Sequence, residues 1–346
     1  MQHLPVAVVG ASGYTGVELV RLLLEHPRVQ LAGLYAKRSA GDKIADHFPS
    51  LAGRVDGEFL HYSADAVARD AKAVFLALPH GESVATAKEL VARGLLVLDL
   101  SADFRLRDPA VYESWYGAHG APELLRDARY GLVERHRHSF REARLVAVPG
   151  CYPTATLLAL APLLDQKLIS PEGIIVDAKS GVSGAGRSPS LGTHFSEVGE
   201  GVHPYKVGEH RHTPEIEQEL ELAAGQPVRI TFTPHLIPMI RGIISTCYGT
   251  PTNEKRTRAD YLGALRTAYA NEPFVTVLER APDTAHVRGS NRVHVSVFHD
   301  ARANRVIAVG AIDNLVKGAA GQAVQCLNAI AGWPETEGLG SVGVFP

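Results

Sequence analysis

The sequence predicts an α/β protein in which a Rossmann-type domain with a parallel sheet is followed by an α+β domain with a mixed or antiparallel sheet. Residues 5–10 form a short apolar run that ends in a glycine-rich turn and leads directly into a helical pattern. Further apolar runs at 73–78 and 95–100 repeat the alternation of strand and helix, which is typical of a parallel sheet. Beyond Pro149 the pattern changes to longer strands and irregular glycine-rich segments, so we place a domain boundary there.

The composition indicates a globular chain of about two domains. The chain has 346 residues, of which 45% are hydrophobic and 21% charged, and its formal net charge is −2. This charge provides no basic surface for nucleic acid or for an anionic membrane. The sequence has no apolar run long enough to span a bilayer, and its N-terminus lacks the pattern of a signal peptide. We therefore expect a cytoplasmic protein with a small-molecule partner, and neither a nucleic-acid nor a membrane partner.

The first glycine-rich turn predicts a dinucleotide-binding site. Its sequence, GASGYTG, spans residues 10–16 between the first strand and the first helix. Glycines permit the tight turn and the close approach of the backbone to a pyrophosphate, whose charge the N–H groups at the helix start would meet. The spacing is G-x-x-G-x-x-G, so a structural turn without a ligand is the alternative. The residues predicted to bind the cofactor here are Gly10, Ser12, Gly13, Tyr14, Thr15 and Gly16.

The end of the second predicted strand, residues 29–36, favours NADP over NAD. A protein that prefers NAD carries an acidic residue at this position for the ribose 2′-hydroxyl. This chain has Lys37, Arg38 and Ser39 instead. Two cations and a hydroxyl donor suit a 2′-phosphate, so we predict that Arg38 and Ser39 bind NADP. A solvated basic loop is the alternative.

The next two predicted strands also end in candidate side chains. In open α/β sheets, ligands bind at the carboxyl ends of the strands. Pro79 follows the strand at 73–78, and we assign it to the cofactor site. Arg105 follows the strand at 95–100 and is suited to a substrate phosphate or carboxylate. An ion pair between Arg105 and Asp103 is the alternative.

The chain is organised around Cys151, which lies in a stretch, 146–162, that combines a strand end, a Pro-Gly break and a helix predicted over 154–164. The N–H groups and the dipole at a helix start favour the thiolate, which is the form of cysteine that attacks a carbonyl carbon. The same donors can hold the resulting oxyanion. A small buried hydrophobe is the alternative role of a single cysteine. We expect Cys247 and Cys326 in the core, because they lie within a strand-like and a helical pattern.

Two segments of the second domain carry further candidate residues. The segment 179–189 is dense in Gly and Ser and reads as a loop that approaches a nicotinamide or an acyl phosphate. Histidines lie just before a helix that begins at Thr213, where one of them can act as general base and acid toward the cysteine. Metal binding by these histidines is the alternative, but no H-E-x-x-H motif or cysteine pair supports it, and we expect no metal. The candidates are Lys179, Ser180, Gly181, Ser183, His210 and His212.

The remainder of the chain predicts the second sheet and a helix that returns to the first domain. Strands are predicted at 228–233, 242–249, 274–278, 293–299 and 305–311, with a helix at 258–269. A helix rich in small residues follows Asn314, and such a helix packs closely against a neighbour. The predicted domains are therefore a dinucleotide-binding domain over 1–149, completed by the helix at about 315–346, and a catalytic and oligomerisation domain over 150–314.

Five segments together resemble one known family. They are GASGYTG at 10–16, PGCYPT at 149–154, GEHRHTPEI at 208–216, HLIPMIRGI at 235–243 and DNLVKGAAGQAVQ at 313–325. Over nearly its whole length the chain resembles the N-acetyl-γ-glutamyl-phosphate reductases, and more distantly the aspartate-semialdehyde dehydrogenases. This resemblance implies an NADPH-dependent reduction of an acyl phosphate to an aldehyde in arginine biosynthesis, with release of phosphate, by a homo-oligomer that is usually a tetramer.

The resemblance also implies roles for single residues. Cys151 would be the nucleophile that forms a thioester, His210 would be the acid and base, and Asn314 would border the nicotinamide. His212 is the alternative to His210 as the acid and base. The remaining assignments are Ser180 and Gly181 to the cofactor, and Arg105, Lys179, Ser183 and His212 to the substrate.

Two other functions stay open at this point. The same reaction on an aminoadipyl phosphate is the first, because one additional methylene in a pocket changes binding by only about 1–3 kcal/mol. A dinucleotide-binding sensor that catalyses no reaction is the second. Such a sensor has no need of a cysteine at a helix start opposite a histidine-rich turn.

Overall fold

The computed structural model describes residues 3–140 and 142–345 of the chain. Thirteen strands lie in these residues. They are β1 (Leu4–Val9), β2 (Val29–Tyr35), β3 (Ala73–Leu76), β4 (Leu96–Asp99), β5 (Arg129–Tyr130), β6 (Leu145–Ala147), β7 (Ile174–Gly181), β8 (His203–Pro204), β9 (Ile230–Ile237), β10 (Ile243–Gly249), β11 (Val275–Val277), β12 (Val293–Asp300) and β13 (Arg305–Ile312).

Eleven α-helical segments lie in the same described residues, and none of them is both long and apolar enough to cross a membrane. They are α1 (Tyr14–Leu24), α2 (Ile44–His47), α3 (Ala64–Asp70), α4 (Ser83–Ala92), α5 (Pro109–Tyr116), α6 (Val133–His136), α7 (Cys151–Asp165), α8 (Phe195–Val198), α9 (Thr213–Ala224), α10 (Arg258–Ala268) and α11 (Gly321–Ala331). Short 3₁₀ turns occur in several connections, and a π-helical turn, Val316–Ala320, precedes α11.

The chain divides into two compact units. The first unit comprises Met1–Pro149 and Ala319–Gly340, and the second comprises Gly150–Gly318 and Ser341–Pro346. The chain therefore enters each unit twice. The last short segment groups with the second unit, whereas the sequence predicts one helix over about 315–346 that completes the first domain.

The first unit contains a six-stranded sheet in the order β2-β1-β3-β4-β6-β5, in which every pair of neighbours is parallel. All four residues of β3 are buried, as expected for a strand that is covered on both faces. The chain leaves β1 toward β2 on one side and later returns to β3 on the other side. The point between β1 and β3 is therefore a topological switch, where ligands bind outside the carboxyl ends of parallel strands.

The second unit contains a seven-stranded sheet in the order β11-β12-β13-β10-β7-β9-β8. Two pairs, β7 with β9 and β11 with β12, are parallel, and the other pairs are antiparallel. Helix α7 packs on one face of this sheet, where the hydroxyl of Thr156 lies 2.8 Å from that of Ser245 in β10. The predicted fold class, a Rossmann-type sheet followed by an α+β unit with a mixed sheet, is confirmed.

Two predicted elements differ from the structure. Helix α7 begins at Cys151, three residues earlier than predicted, because Pro153 fits the first turn, where its missing N–H costs no hydrogen bond. The predicted loop at 179–189 is wrong at its start. Its first residues continue β7 as far as Gly181, pairing with both β9 and β10, and a 3₁₀ turn over Val182–Ala185 follows.

The helix predicted over about 315–346 is also shorter in the structure. Helix α11 ends at Ala331 because Gly332 takes a left-handed conformation with φ 69° and Pro334 follows two residues later. Its polar and sulfur-containing side chains bind the rest of the first unit. Gln322 Nε2 donates to the carbonyl of Gly131 over 2.6 Å, and Cys326 Sγ donates to the same oxygen over 3.1 Å.

Candidate active site

Cys151 is the first residue of α7, and its side chain is partly exposed. Gly150 caps the helix in an extended conformation (φ −67°, ψ 156°) and has no side chain to occupy the first N–H groups. No acidic residue lies in the first turn of α7. The positive end of the helix dipole and the first N–H groups therefore stabilise a thiolate at this position.

The other two cysteines are buried in the cores of their units, as the sequence predicts. Burial raises the pKa of the Cys247 thiol to about 12, so this side chain stays protonated near neutral pH. Cys326 lies in α11 and donates to a main-chain carbonyl. Cys151 is thus the cysteine whose surroundings favour nucleophilic chemistry.

A buried carboxylate that the sequence analysis missed also binds the start of α7. The N–H of Gly150 donates to Glu215 Oε1 over 2.8 Å, and Glu215 is 1% exposed. Glu215 lies in the first turn of α9, so its carboxylate joins the starts of two helices. Acidic residues in a first turn are usually solvent-facing partners of the helix dipole, and this hides the role of Glu215 in the sequence.

His210 is enclosed by aromatic rings in the second unit, and it is 8% exposed. Its ring centroid lies 5.6 Å from that of Tyr152, 5.4 Å from that of Tyr205 and 5.2 Å from that of Phe232. All three rings are nearly perpendicular to the imidazole. Because Tyr152 follows Cys151 in the chain, these contacts hold the imidazole beside the start of α7.

His210 and His212 are joined by a main-chain hydrogen bond. The main-chain N–H of His212 donates to Nδ1 of His210 over 3.1 Å. The two ring centroids lie 4.9 Å apart, and His212 also contacts the edge of Tyr152 at a centroid distance of 6.0 Å. His210 is therefore a ring whose orientation is set by the main chain and by its aromatic neighbours.

Two tyrosine hydroxyls form a short chain next to the cysteine. Tyr205 OH donates to Tyr152 OH over 3.2 Å, and Tyr152 OH donates to the carbonyl of His235 over 3.3 Å. Burial raises the pKa of both tyrosines, and negative charge on Cys151 raises both further. Both phenols therefore remain neutral near neutral pH. The sequence analysis missed Tyr205, because its contacts form only when β8 pairs with β9.

Asn314 lies at the end of β13 and is held at both ends of its amide. Its Oδ1 accepts from the N–H of Gly242 over 2.7 Å, and its Nδ2 donates to Ser183 Oγ over 3.0 Å. These bonds bring the predicted residues Asn314 and Ser183 together in the second unit. The π-helical turn that follows places Gly318 against Cys151, so that a Cβ at Gly318 would lie 2.8 Å from Cys151 Cβ.

Ser180 and Gly181, two predicted cofactor residues at the end of β7, have different environments. The side chain of Ser180 is on the buried face that α7 covers, and its hydroxyl donates to the carbonyl of Gly181 over 2.9 Å. A Cβ at Gly181 would lie 2.6 Å from the carbonyl oxygen of Ile240. The main chain at Ile240 therefore leaves no room for a side chain at position 181. Close approach to a ligand is not needed to explain it.

Lys179 lies on β7 beside Asp177, and its contact with the substrate stays a prediction. Side chains alternate along β7, so Lys179 lies on the opposite face of the sheet from Ser180 and from α7. There its Nζ binds Asp177 Oδ2 over 2.7 Å. This placement follows from the continuation of β7 to Gly181, because the side chains of a strand have two fixed faces where the sequence predicts a loop.

In the first unit, the glycine-rich turn has the tight geometry that a pyrophosphate requires. Gly10 has φ +88°, and a Cβ there would lie 2.3 Å from the carbonyl oxygen of Ala77. A Cβ at Gly16 would lie 2.3 Å from the carbonyl oxygen of Gly10. Gly13 caps α1, whose first turn contains no acidic residue. Ser12, Tyr14 and Thr15 lie in this turn, which fits the phosphates of a dinucleotide.

The basic residues after β2 also remain accessible. Lys37 binds Glu82 over 3.3 Å, and this ion pair is exposed to solvent. Arg38 is exposed and forms no side-chain hydrogen bond or ion pair within the described part of the chain, and Ser39 beside it is half-buried. Pro79 is exposed shortly after the end of β3, next to the switch point.

Arg105 is buried and supports the strand ends of the first unit. Its Nε donates to the carbonyl of Val148 and its Nη2 to that of Leu100, each over 2.8 Å. Asp103, the alternative ion-pair partner, accepts from the N–H of Gly81 over 2.9 Å and from Tyr112 OH over 3.0 Å. Substrate binding by Arg105 therefore stays a prediction.

Among residues 3–140 and 142–345, no group of three or more His, Cys, Asp or Glu side chains is arranged to hold a metal ion. The chemistry that the described side chains support is that of a cysteine nucleophile with histidine and tyrosine neighbours. A dinucleotide-binding turn accompanies it in the other unit.

Comparison with known proteins identifies both units. Residues 5–143 match the family model described as "Semialdehyde dehydrogenase, NAD binding domain", and residues 151–314 match that described as "Semialdehyde dehydrogenase, dimerisation domain". Among solved structures, an aspartate semialdehyde dehydrogenase II from Vibrio cholerae has a TM-score of 0.72 at 17% identity, covering 96% of this chain and 99% of that chain. An aspartate semialdehyde dehydrogenase with NADP from Candida albicans has a TM-score of 0.69 at 17% identity, with coverage of 95% and 99%.

Curated relatives are more similar in sequence and carry a more specific name. The N-acetyl-gamma-glutamyl-phosphate reductase of Rhodospirillum rubrum is 52% identical over 355 residues, covering 100% of this chain and 99% of the relative. The enzyme of the same name from Citrifermentans bemidjiense is 50% identical over 344 residues, with 99% of each chain covered. The resemblance seen in the sequence is thereby confirmed. The chain belongs to the N-acetyl-gamma-glutamyl-phosphate reductases, a family of dinucleotide-dependent oxidoreductases among the semialdehyde dehydrogenases.

Proposed function

We propose that the chain reduces N-acetyl-γ-glutamyl phosphate to the semialdehyde and phosphate, as a step of arginine biosynthesis, with NADPH as the reductant. The name shared by full-length relatives at about half identity supports the substrate. The observation that carries the reaction is the position of Cys151 at the start of α7, next in the chain to Tyr152, whose ring contacts that of His210. A bound nicotinamide dinucleotide supplies the hydride.

The first step assigned to this chain is acyl transfer to Cys151. The thiolate attacks the carbonyl carbon of the acyl phosphate, the C–S bond forms, and the bond to phosphate breaks to leave a thioester. The N–H groups at the start of α7 stabilise both the thiolate and the oxyanion of the tetrahedral intermediate. The partly buried position of Cys151 limits the access of water, which would hydrolyse the thioester.

The second step regenerates the thiolate. Once the thioester carbon has accepted a hydride, it is tetrahedral again and its oxygen is an oxyanion. In this proposal His210 faces that oxyanion, and the intermediate collapses to the aldehyde as the C–S bond breaks. Asn314, fixed by Gly242 and Ser183, borders the nicotinamide, and Ser180 and Gly181 support this edge of the site from β7. His212, Ser183 and Arg105 are the proposed contacts of the substrate.

NADP is the proposed cofactor because of the residues that follow β2. Arg38 is exposed and carries a positive charge that no described carboxylate neutralises, and the Ser39 hydroxyl lies next to it in the chain. A 2′-phosphate accepts hydrogen bonds from both types of side chain. The glycine turn and the first N–H groups of α1 would hold the pyrophosphate.

We further propose that the protein is a homo-oligomer in the cytoplasm, and a tetramer by family resemblance. The description of the matched model for residues 151–314 as a dimerisation domain supports self-association. In the second unit, the sheet face opposite α7 also carries the exposed side chain of Ile175. A second copy that covered this face would remove apolar surface from water.

The deciding experiment traps the acyl group on the enzyme. Wild-type protein is mixed with N-acetyl-γ-glutamyl phosphate in the absence of dinucleotide, digested and analysed by mass spectrometry. We expect one acyl group on the Cys151 peptide and none in Cys151→Ser, which should still bind NADPH but lose turnover. An active Cys151→Ser variant would refute the covalent mechanism. A wide preference for the acyl phosphate with one additional methylene would refute the substrate.

A further inference from the structure

We propose that Asp103 is a positioning residue of the dinucleotide site. Its buried carboxylate fixes the turn of residues 79–82, which we name the wall turn, in the conformation that borders the adenosine half of NADPH. The inference rests on the proposed function and deepens it, because it assigns part of the cofactor affinity to a residue that does not itself touch the cofactor. Loss of this support should weaken NADPH binding and leave acyl transfer to Cys151 unchanged.

The wall turn is a reverse turn that follows β3. The N–H of Glu82 donates to the carbonyl of Pro79 over 3.1 Å, and Gly81, the third of the four residues, has φ +84°. A positive φ at this position is typical of a type II turn and favours glycine. All four residues are exposed, and a Cβ at Gly81 would meet no atom of the described residues within 4 Å. Apolar packing therefore does little to hold the turn, and its shape depends on its hydrogen bonds.

Those hydrogen bonds come from the loop that follows β4. The N–H of Gly81 donates to both carboxylate oxygens of Asp103, each over 2.9 Å. The N–H of Ala102 donates to Nδ1 of His80 over 2.9 Å. Asp103 is 0% exposed, and a hydrogen bond to a buried carboxylate is stronger than one between neutral groups. Two successive residues of the loop thus hold two successive residues of the exposed turn.

The loop is itself fixed, so it can serve as an anchor. The N–H of Asp103 donates to Ser101 Oγ over 3.1 Å, and Ser101 Oγ donates to Asp99 Oδ2 over 2.6 Å. The other oxygen of Asp99 accepts from Oγ of Ser83, the first residue of α4, over 2.5 Å. Tyr112 OH in α5 donates to Asp103 Oδ1 over 3.0 Å. Because all of these side chains are buried, the anchor is more rigid than the turn that it holds.

The sheet places the wall turn beside the glycine-rich turn of residues 10–16. Strand β1 lies between β2 and β3, and a Cβ at Gly10 would lie 2.3 Å from the carbonyl oxygen of Ala77, two residues before the wall turn. At the other end of the wall turn, Glu82 Oε2 lies 3.3 Å from Nζ of Lys37, which follows β2. The wall turn therefore extends across the end of β1, from the glycine-rich turn to the residue that precedes Arg38.

This position assigns the wall turn to the adenosine half of the cofactor. The 2′-phosphate, for which Arg38 and Ser39 are the proposed contacts, is carried by the adenosine ribose. The pyrophosphate at the other end of the adenosine would bind the glycine-rich turn. The adenosine then lies between the segments that follow β2 and β3, and the wall turn borders it there.

A wall turn that is fixed before the cofactor arrives strengthens binding. When a site adopts its competent conformation only part of the time, the apparent Kd is the intrinsic Kd divided by that fraction. A wall turn that spent about one-tenth of the time in the bound conformation would raise the Kd for NADPH about 10-fold. Asp103 prevents this loss by holding the N–H of Gly81 in the free protein.

The first test compares two glycines with the same conformation in different places. Gly81 and Gly94 have φ +84° and +81°, both are exposed, and a Cβ at either would meet no described atom within 4 Å. Gly94 lies two residues before β4, at the opposite edge of the parallel sheet. Alanine is strained at a positive φ in both places, so Gly81→Ala and Gly94→Ala should lose similar thermal stability.

The two variants should differ in cofactor affinity. In fluorescence titrations, we expect the Kd for NADPH to rise about 10-fold in Gly81→Ala and to stay within about 2-fold of wild type in Gly94→Ala. Adenosine 2′,5′-bisphosphate, which contains only the adenosine half, should lose affinity for Gly81→Ala by the same factor as NADPH. The same Kd for NADPH in both variants, or an unchanged affinity of Gly81→Ala for the adenosine fragment, would overturn the proposal.

The second test addresses the anchor. Asp103→Ala removes both acceptors of the Gly81 N–H, Asp103→Asn keeps one, and Tyr112→Phe removes a different bond to the same carboxylate. The Kd for NADPH should rise about 10-fold or more in Asp103→Ala, rise at least about 3-fold less in Asp103→Asn, and stay within about 2-fold of wild type in Tyr112→Phe. A rise in Tyr112→Phe as large as that in Asp103→Ala would indicate general disruption of the loop and overturn the proposal. If Asp103→Ala does not fold, Gly81→Ala at its exposed position decides the question.

A third readout separates this inference from the proposed function. Trapping of the acyl group on Cys151 needs no dinucleotide, so Gly81→Ala should trap as much acyl group as wild type. The KM for NADPH should rise in this variant while the KM for the acyl phosphate stays unchanged. Loss of trapping in Gly81→Ala alone would overturn the proposal. If wild type also failed to trap, the covalent mechanism would be refuted, and the NADPH titrations would still decide the role of Asp103.

Discussion

Replacing Gly318 by alanine should displace the cysteine nucleophile while leaving the fold intact. A Cβ at position 318 would lie 2.8 Å from Cys151 Cβ, 3.2 Å from Cys151 Cα and 3.3 Å from Ile312 Cδ1. Ordinary contacts between carbon atoms are about 3.5–4.0 Å, so the start of α7 would have to move by about 0.7–1.2 Å. The contact is with backbone and Cβ, and rotation of a flexible side chain cannot relieve it.

Two quantities follow from this displacement. Overpacking of a close-packed site costs about 1–3 kcal/mol of unfolding free energy. A nucleophile misplaced by about 1 Å loses about 100-fold in rate. We therefore expect kcat of Gly318→Ala to fall about 100-fold, with a smaller change in KM, and the thermal midpoint to fall by a few degrees. Initial rates with N-acetyl-γ-glutamyl phosphate and NADPH, and the rate of Cys151 alkylation, measure the effect.

The second unit offers a matched control for this substitution. Gly263 lies inside α10, and a Cβ there would meet nothing within 4 Å. Gly263→Ala should raise the unfolding free energy by about 0.5–1 kcal/mol and leave kcat unchanged. If Gly318→Ala kept wild-type turnover and wild-type alkylation of Cys151, the packing argument for the π-helical turn would be wrong.

Three further predictions concern other parts of the chain. Burial raises the pKa of Asp99 to about 6 from an ordinary value near 3.8. Ionisation of Asp99 therefore lowers the unfolding free energy of the wild-type protein, an effect that is absent below about pH 4 and complete above about pH 6. The unfolding free energy of Asp99→Asn relative to wild type should therefore rise by up to about 3 kcal/mol between pH 4 and pH 8 in urea titrations, and a difference independent of pH would contradict this reading. Arg38→Ala should raise the Kd for NADPH by about 10-fold or more and hardly change that for NADH, and equal losses would argue against 2′-phosphate binding. In native protein, iodoacetamide should modify Cys151 quickly and Cys247 and Cys326 only after unfolding, as counted by intact mass.

The local part of the candidate site was predictable from the sequence. A cysteine after a Pro-Gly break and before an apolar helical pattern specifies a helix start, and the structure has α7 begin at Cys151. The glycine turn and the strand that precedes it are equally local. The fold class follows from the same kind of pattern, because strand and helix periods differ over a few residues.

The parts that were not predictable depend on contacts between distant segments. The stretch that begins at Lys179 was predicted as a loop, but it continues β7 as far as Gly181, where β9 and β10 pair with it. Glu215 reaches Gly150 across 65 residues of sequence. The main-chain hydrogen bond from His212 to Nδ1 of His210 is likewise one that no residue pattern specifies.

The division of the chain has a consequence for biosynthesis. Helix α11 belongs to the first unit but is separated from the rest of it by the whole of Gly150–Gly318. A ribosome therefore releases the partners of this helix, including Gly131 and His26, long before Gln322 and Asn328 exist to bind them. The nascent dinucleotide-binding unit therefore stays incomplete until α11 has been translated. A truncated transcript ending before α11 should yield a chain that chaperones or proteases capture.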